Sequence, residues 1–394
     1  MNKKKFTYRF TQLACYLAFI IQAVVVNFAP ICFVIFQDTF DLSLSLIGQL
    51  IVFNFVTQIV VDIITMRLAD KIGHRKFMLF GHSCIAIGFI LFGTLPRILV
   101  NPYIGLVFPT ILYAIGGGII EVLGSPIVDS LPEDEVKVSM SLLHSFYCWG
   151  QVCVVLITSM LLLALGNERW YLIAYMWAIL PVINIYMFSH VPLVPPHAKE
   201  VRMPLRKLLS ARLFLLILLM MMCAGASELT MSQWSSLFAE KGLGIPKMLG
   251  DILGPCLFAV FMGLGRTMFG IMEEKLDTRK WLIWLSVLCA LCYFVAATSN
   301  NAIVSLLACA LTGFSISLMW PGTYTLATKK FPLGGTAMFG IMAVFGDIGC
   351  SAGPFLAGVV ADNSNGGLNA GFLFATIFPL LMILGALGIG KKSL

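Results

Sequence analysis

About twelve uninterrupted apolar runs, each long enough to cross a lipid bilayer as a helix, dominate this chain. A hydrocarbon core about 30 Å thick needs roughly 20 apolar residues in helical form. The runs occupy residues 11–36, 44–66, 77–95, 103–128, 139–165, 171–189, 212–239, 248–271, 281–298, 303–327, 336–360 and 371–390. Hydrophobic residues make up 59% of the chain and charged residues 11%, against roughly 45–50% and about 25% in soluble domains. We therefore predict an all-α integral membrane protein with twelve transmembrane helices.

The distribution of lysine and arginine predicts the orientation of these helices. With the N-terminus inside, the inner segments hold Lys3, Lys4, Lys5, Arg9, Arg67, Lys71, Arg75, Lys76, Lys137, Lys199, Arg202, Arg206, Lys207, Arg212, Lys275, Arg279, Lys280, Lys329, Lys330, Lys391 and Lys392. The outer loops hold only Arg97, Arg169, Lys241 and Lys247. This asymmetry predicts that both termini are cytoplasmic, in a plasma membrane of the bacterial inner-membrane type. The net charge of +7 is therefore a topology signal and indicates no nucleic-acid partner.

The loop between the sixth and seventh runs divides the chain into two halves. We predict an N-terminal six-helix bundle at 1–190, a cytoplasmic linker at 191–211 and a C-terminal six-helix bundle at 212–394. An internal repeat supports this division, because the segment Lys71–Lys76 matches Lys275–Lys280 in the pattern of its residues. Two related six-helix halves are typical of secondary transporters, which bind their substrate near the midplane of the membrane.

Several motifs carry a family resemblance. MRLADKIGHRK, Met66–Lys76, resembles the loop signature of the major facilitator superfamily, with Met66 where the first glycine belongs. Within the superfamily, GGGIIEVLGSP (Gly116–Pro126), LHSFYCWG (Leu143–Gly150), GASELTMSQW (Gly225–Trp234) and WPGTYTL (Trp320–Leu326) resemble helices 4, 5, 7 and 10 of the fucose-galactose-glucose proton symporters. The resemblance implies the major facilitator fold, with alternating access and proton coupling. The chain departs from that family at Ala29, where an aspartate normally precedes the proline of the first helix.

Three acidic residues lie deep inside apolar runs and are candidates for proton coupling. Glu121 is surrounded, three or four positions away on its helix, by small residues that allow close approach of another helix or a substrate. A carboxyl group in a low dielectric favours its neutral form, so it can take up and release a proton as water access alternates. Glu228 and Asp347 are also flanked by small residues. Each of these two could bind substrate hydroxyls, transfer protons or hold a sodium ion.

The remaining intramembrane residues favour a neutral polyhydroxylated substrate. No lysine or arginine is predicted at mid-membrane depth, since Arg266 lies near the inner end of its run, and this argues against an organic anion. Amide side chains at central depth offer paired donors and acceptors, and tryptophan rings can stack on a sugar. The predicted substrate-binding residues are Gln22, Asn27, Asn54, Gln58, His144, Gln151, Trp234 and Trp320.

A second group of charged residues is predicted to form a cytoplasmic gate. Its members are Asp62, Asp70, Lys71, Arg75 and Arg266. An aspartate at the end of a helix can stabilise the N-terminus of a neighbour and pair with nearby arginines. The family resemblance implies that such contacts hold the outward-facing state and break as the two halves rock.

The sequence contains no motif of an enzyme, a metal site or a cofactor site. We predict proton-coupled (or sodium-coupled) import of a small neutral polar solute, with a sugar as the favoured class, by a chain that the superfamily default makes a monomer. One alternative is a proton-coupled exporter of cationic or lipophilic compounds. A second alternative is a receptor or partner subunit that uses a transporter scaffold without transport.

Overall fold

The computed structural model describes residues 6–42, 44–132, 136, 139–194, 203–239, 244, 252–272, 275–299, 301–365 and 367–390. Within these residues every regular element is helical and no strand occurs. Twelve segments are long and apolar enough to span a membrane, which confirms the predicted all-α membrane fold. The following basic residues used for orientation lie outside the described ranges: Lys3, Lys4, Lys5, Lys137, Lys199, Arg202, Lys241, Lys247, Lys391 and Lys392. The same is true of residues 195–202 of the predicted linker.

The first six spans are formed by eight helices. They are α1 (Tyr8–Ile31), α2 (Phe33–Phe40), α3 (Leu44–Ile72), α4 (His74–Ile98), α5 (Pro102–Asp129), α6 (Met140–Leu165), α7 (Trp170–Trp177) and α8 (Ile179–His190). The first predicted run, 11–36, is therefore interrupted at Cys32, two residues after Pro30, where the Cys32 N–H donates to the carbonyl of Ala29. A proline has no N–H for the carbonyl four residues earlier, which weakens the helix at this point.

The described residues after α8 contain nine more helices. They are α9 (Leu205–Ser210), α10 (Arg212–Leu237), α11 (Leu257–Met272), α12 (Thr278–Thr298), α13 (Ala302–Ile316), α14 (Met319–Lys330), α15 (Gly335–Asp362), α16 (Gly367–Ala375) and α17 (Ile377–Gly388). The short α9 precedes the membrane-spanning helices, and a π-helical turn at Ile252–Cys256 leads into α11. The tenth span is broken between α13 and α14, at Ser317 and Leu318.

The chain divides into two compact units. The first unit contains Met1–Val138 and Trp149–His197, and the second contains Ser139–Cys148 and Ala198–Leu394. The start of α6 thus belongs to the second unit. Within that unit the Ser141 hydroxyl donates to the carbonyl of Arg266, at 2.8 Å, and Gly270 lies against Leu142.

The faces of α3 show how polar side chains are placed inside the first unit. Asn54, Gln58 and Asp62 are 6%, 1% and 0% exposed. The other face carries an exposed aliphatic stripe of Val52, Val56, Val60 and Ile64. A helix with polar residues inside and apolar residues outside suits a lipid environment, in which polar groups face the bundle interior.

Small residues allow α4 and α5 to pack closely. A methyl group added at Gly116 would stand 2.2 Å from the carbonyl oxygen of Gly81, and one at Gly88 would stand 2.8 Å from Cβ of Tyr113. Tyr113 in turn stacks on Phe89, with ring centroids 5.0 Å apart. These contacts hold rigidly in place the glycine-rich part of α5 that precedes Glu121.

The two units repeat several local features. Arg75 donates to the carbonyls of Phe188 and Val191 at the end of α8, and Arg279 donates to those of Ala386 and Leu387 at the end of α17. Both arginines satisfy carbonyl groups that a helix C-terminus leaves without partners.

Two further pairs extend this repeat. Asn101 caps α5 and Asn301 caps α13, each accepting from the backbone N–H groups two and three residues later. The sixth and twelfth spans are both broken three residues before a proline, at Ala178 before Pro181 and at Thr376 before Pro379. In each case the break follows the carbonyl that loses its helical partner to the proline.

Candidate functional site

A chain of hydrogen bonds joins four predicted site residues in the first unit. Asn54 Nδ2 donates to the carbonyl of Val25 at 3.2 Å, and Gln58 Nε2 donates to Asn54 Oδ1 at 2.9 Å. Gln22 Nε2 donates both to Gln58 Oε1, at 2.7 Å, and to Glu121 Oε2, at 3.2 Å. We call Gln22, Gln58 and Asn54 the amide chain. The structure therefore brings Glu121 together with three of the amides predicted to bind substrate.

The glycines before Glu121 leave room for these side chains. A methyl group at Gly117 would stand 2.9 Å from Gln22 Oε1 and 3.1 Å from Gln58 Oε1. One at Gly118 would stand 2.9 Å from Asp62 Oδ1. The GGG sequence of α5 is thus the surface against which α1 and α3 present their polar residues.

The remaining predicted residues of the first unit lie apart from the amide chain. Asn27 Nδ2 donates to the carbonyl of Ala23 on its own helix, at 2.9 Å. Gln151 is 8% exposed, and no hydrogen bond in the described part of the chain joins it to the amide chain. Asp62, predicted as a gate residue, is fully buried beside Gly118 and one turn from Gln58, so it accompanies the amide chain instead of the charged residues at the end of α3.

The second unit contains a buried ion pair between Glu228 on α10 and Arg266 on α11. Arg266 Nη2 lies 2.7 Å from Glu228 Oε2, and the two residues are 2% and 8% exposed. The guanidinium also donates to two carbonyls, from Nε to Ser317 at 3.3 Å and from Nη1 to His144 at 3.3 Å. Ser317 lies at the break between α13 and α14, where the helix no longer uses its carbonyl.

This ion pair corrects the sequence-based view of Arg266. We expected no buried base in the bundle interior, whereas the predicted gate role of Arg266 is not tested by this contact and stays a prediction. The long side chain of Arg266 reaches Glu228 and is almost wholly buried. A buried base is therefore present, and its charge is balanced by one of the three acids that we assigned to proton coupling.

His144 is held beside this ion pair by its backbone and its ring. Its carbonyl accepts from Arg266, and its imidazole stacks on Tyr324, with ring centroids 5.6 Å apart. Tyr324 stacks in turn on Phe339, with centroids 5.2 Å apart. Sequence reasoning missed Tyr324, although its helix was among the motifs, because nothing in the sequence shows which aromatic ring faces His144.

The two predicted tryptophans are engaged in helix packing. Trp234 donates from its indole nitrogen to the carbonyl of Pro354, at 3.0 Å. Trp320 is 8% exposed, and its ring lies so close to Gly346 that a methyl group there would stand 2.2 Å from it. Asp347, the next residue, is 3% exposed. Asp347 thus follows directly on the residue against which Trp320 packs, whereas the partner of Glu228 in its ion pair is Arg266.

The predicted gate residues of the first unit make local contacts. Asp70 Oδ1 lies 3.0 Å from His74 Nε2, one helical turn away. Arg75 binds the end of α8, and Lys71 is exposed. Within the first unit, Asp70 and Arg75 thus make contacts at the end of α3 and the start of α4, whereas Asp62 lies two turns earlier on α3 beside Gly118.

No group of three or more potential metal ligands occurs among the described residues.

A family model described as Major Facilitator Superfamily matches residues 14–354 of the chain, with a second match over 256–391. No curated protein matches the chain by sequence at a significant level.

Solved structures of transporters share this fold. A structure of the fucose:proton symporter FucP of E. coli aligns with 98% of this chain and 99% of its own, at a TM-score of 0.76 and 17% identity. The proton:xylose symporter XylE, bound to 6-bromo-6-deoxy-D-glucose, covers 98% of this chain and 96% of its own, at 0.82 and 13%. The human organic anion transporter MFSD10 covers 96% and 99%, at 0.73 and 14%. At these identities the likeness concerns the fold.

Proposed function

The chain belongs to the Major Facilitator Superfamily of transporters, and from this premise we propose that it imports a small neutral polar solute of the sugar class together with protons. Glu121 is the proton-coupling residue of this proposal. We place the protein in a plasma membrane of the bacterial inner-membrane type, as a monomer with both termini in the cytoplasm.

The observation that carries the proposal is the hydrogen bond between Glu121 and the amide chain. Glu121 keeps partial exposure, whereas Gln58 and Asp62 beside it are buried. A partly exposed carboxyl group that is bonded to buried polar residues can exchange a proton when water enters beside it, and its bonding partners can respond. None of the other acids assigned to proton coupling combines these two properties, since Glu228 and Asp347 are both buried.

The balance of charge supports a neutral solute. The charges of Arg266 and Glu228 neutralise each other in their buried pair, and separating such a pair in a low dielectric is strongly unfavourable. An anionic or cationic substrate would have to compete with this internal partner. Amides, by contrast, offer both donors and acceptors to hydroxyl groups without a charge to neutralise.

The test is a current measurement with purified protein in proteoliposomes on a solid-supported membrane. Neutral hexoses and pentoses are applied to the wild type, to Glu121→Gln and to the matched control Glu168→Gln, whose carboxylate is exposed in the 3-10 turn at the start of the sixth span. We expect a sugar-evoked current that depends on pH in the wild type and in Glu168→Gln. We expect no such current in Glu121→Gln, because its amide cannot carry a proton.

The other outcomes separate the alternatives. A sugar current that survives in Glu121→Gln would move proton coupling to Asp347 or Glu228. Silence with sugars but a response to organic cations would favour the exporter. Sugar binding without any current would favour a receptor on a transporter scaffold.

A further inference from the structure

The donor-to-acceptor direction of the hydrogen bonds in the amide chain is set at one end by a backbone carbonyl. The Val25 oxygen can only accept, so Asn54 must present its Nδ2 to it and its Oδ1 to Gln58. Gln58 must then present Nε2 to Asn54 and Oε1 to Gln22. Gln22 consequently presents its N–H groups both to Gln58 and to Glu121. The orientation of all three amides follows from a single acceptor on α1.

The opposite end of the chain holds an unused acceptor. Gln22 is 4% exposed, and no donor among the described residues reaches its Oε1 atom. A buried acceptor without a hydrogen bond is unfavourable by roughly 1–3 kcal/mol in typical proteins. The arrangement suits a Glu121 oxygen that accepts, and it offers a buried partner for a Glu121 hydroxyl that would donate.

We propose that the amide chain is a two-state switch that reports the protonation of Glu121 to the backbone of α1 at Val25. The proposal rests on the proposed function, which makes Glu121 the residue that exchanges protons. When Glu121 gains a proton from water, its new O–H donates to Gln22 Oε1 once the Gln22 amide has turned. Gln58 and Asn54 then turn in sequence, and Asn54 directs its oxygen to Val25, where two acceptors face each other and the hydrogen bond is lost.

Losing the hydrogen bond from Asn54 affects α1 because Val25 lies where this helix is already weak. Pro30 has no N–H for the carbonyl of Val26, so the helix is already weakened beside Val25. The helix ends one residue after Pro30, at Ile31. Loss of the Asn54 bond therefore loosens α1 next to the carbonyl that Pro30 leaves without a helical partner, about two turns before the helix ends.

The space around Gln22 fits a side chain that turns. Gly117 has no Cβ, and a methyl group there would stand 2.9 Å from Gln22 Oε1. Among the titratable groups near α5, Asp62 on α3 lies beside Gly118, and His82 on α4 has its ring bonded to Asn184 and to the carbonyl of Met78. Cys84 on α4 and Tyr113 on α5 are weak acids in the same region. Helix α1 contributes no acid or base between Thr11 and Ile31 apart from the weakly acidic Cys15 and Tyr16.

Two measurements on the full-length protein in lipid nanodiscs test the switch. Infrared difference spectra between acidic and alkaline pH detect the C=O band of protonated Glu121, identified by its loss in Glu121→Gln. Hydrogen exchange by mass spectrometry, corrected for the chemical effect of pH, follows peptides that cover residues 23–31. In the wild type we expect these peptides to exchange about 2- to 10-fold faster at acidic pH, the effect of losing one hydrogen bond.

Variants distinguish the effect of the amide chain from that of other polar residues near α1. In Asn54→Leu the Glu121 band should remain while the pH dependence of exchange disappears, and Gln58→Met, close in shape, should do the same if Asn54→Leu folds poorly. Asn27→Leu removes an amide that bonds to a carbonyl of α1 outside the chain, and Asp62→Asn removes the nearby carboxylate. Both controls should keep the band and the pH dependence.

The results that would overturn the switch are distinct from those that would overturn proton coupling. If the Glu121 band appears but exchange at residues 23–31 is independent of pH, or remains pH-dependent in Asn54→Leu and Gln58→Met, the switch is wrong and the proposed function stands. If the band is missing at every pH, Glu121 does not exchange protons, and both the coupling role and the switch are wrong.

Discussion

The residue with the largest expected effect on stability is Glu228, because it balances the charge of a buried arginine. Replacing Glu228 with Gln leaves Arg266 buried with its two carbonyl partners but without a counter-ion. Breaking a buried pair in this way typically costs about 3–5 kcal/mol. We expect Glu228→Gln to lower the thermal unfolding temperature markedly in detergent, measured by intrinsic fluorescence.

Two further variants make this prediction specific to the ion pair. Glu168→Gln removes an exposed carboxylate and should leave the unfolding temperature unchanged. The double variant Glu228→Leu with Arg266→Met removes both charges and should be more stable than Glu228→Gln, since apolar residues often replace a buried pair without loss. Equal unfolding temperatures for the wild type and Glu228→Gln would show that the pair does not stabilise the fold.

Single residues also show how far sequence reasoning reaches. The depth of Glu121 and of the amides along their helices could be predicted, because apolar runs define where the membrane lies. The partners could not be predicted, because they depend on which helix faces meet and on how far a long side chain reaches. Arg266 illustrates this limit, since its Cα position suggested no buried base whereas its guanidinium binds Glu228.

At the scale of elements, the contact between α4 and α5 depends on Gly116. A methyl group there would stand 2.2 Å from the Gly81 carbonyl oxygen and 2.4 Å from Cγ1 of Ile85, so the helices would have to separate. Overpacking of this kind typically costs about 1–3 kcal/mol. We expect Gly116→Ala to lower the unfolding temperature. Gly388→Ala, which would meet only a flexible Leu216 side chain at 3.0 Å, should change it little, and equal effects of both substitutions would contradict this explanation.

Elements were predicted more completely than their interruptions. All twelve spans could be found from hydropathy alone, because each must cover the same thickness of lipid. The breaks at Cys32, Ala178, Ser317 and Thr376 were not predicted. All four lie within four residues of a proline, namely Pro30, Pro181, Pro321 and Pro379. Long apolar runs conceal such breaks, since a bundle can satisfy the carbonyl groups that a proline leaves without partners.

At the scale of the whole molecule, the fold does not determine which class of substrate is transported. The fold is shared with structures of two sugar symporters and of an organic anion transporter, so the choice between neutral and charged solutes depends on side chains. In this chain the amide chain and Glu121 lie in the first unit, and the neutral pair of Glu228 and Arg266 lies in the second. This combination is the physical basis for proposing a neutral solute.

The proposed orientation makes the last prediction. Lysines and arginines concentrate in the cytoplasmic loops of membrane proteins. In the proposed orientation, therefore, the loop after α4 is outside and α9 is inside. Val100 in that loop and Lys207 on α9 are both exposed. In intact cells, a membrane-impermeant maleimide should label Val100→Cys, whereas Lys207→Cys should react only after permeabilisation.

The native cysteines provide the background for this experiment. All eleven are free, and nine are buried, whereas Cys153 is exposed and Cys256 is partly exposed. Both of these lie within candidate spans, where the lipid keeps a polar maleimide away. The wild type should therefore remain unlabelled in both conditions. Labelling of Lys207→Cys but not Val100→Cys in intact cells would invert the topology. The proposed cytoplasmic position of both termini would then be wrong, and the direction of transport would have to be derived from the reversed orientation.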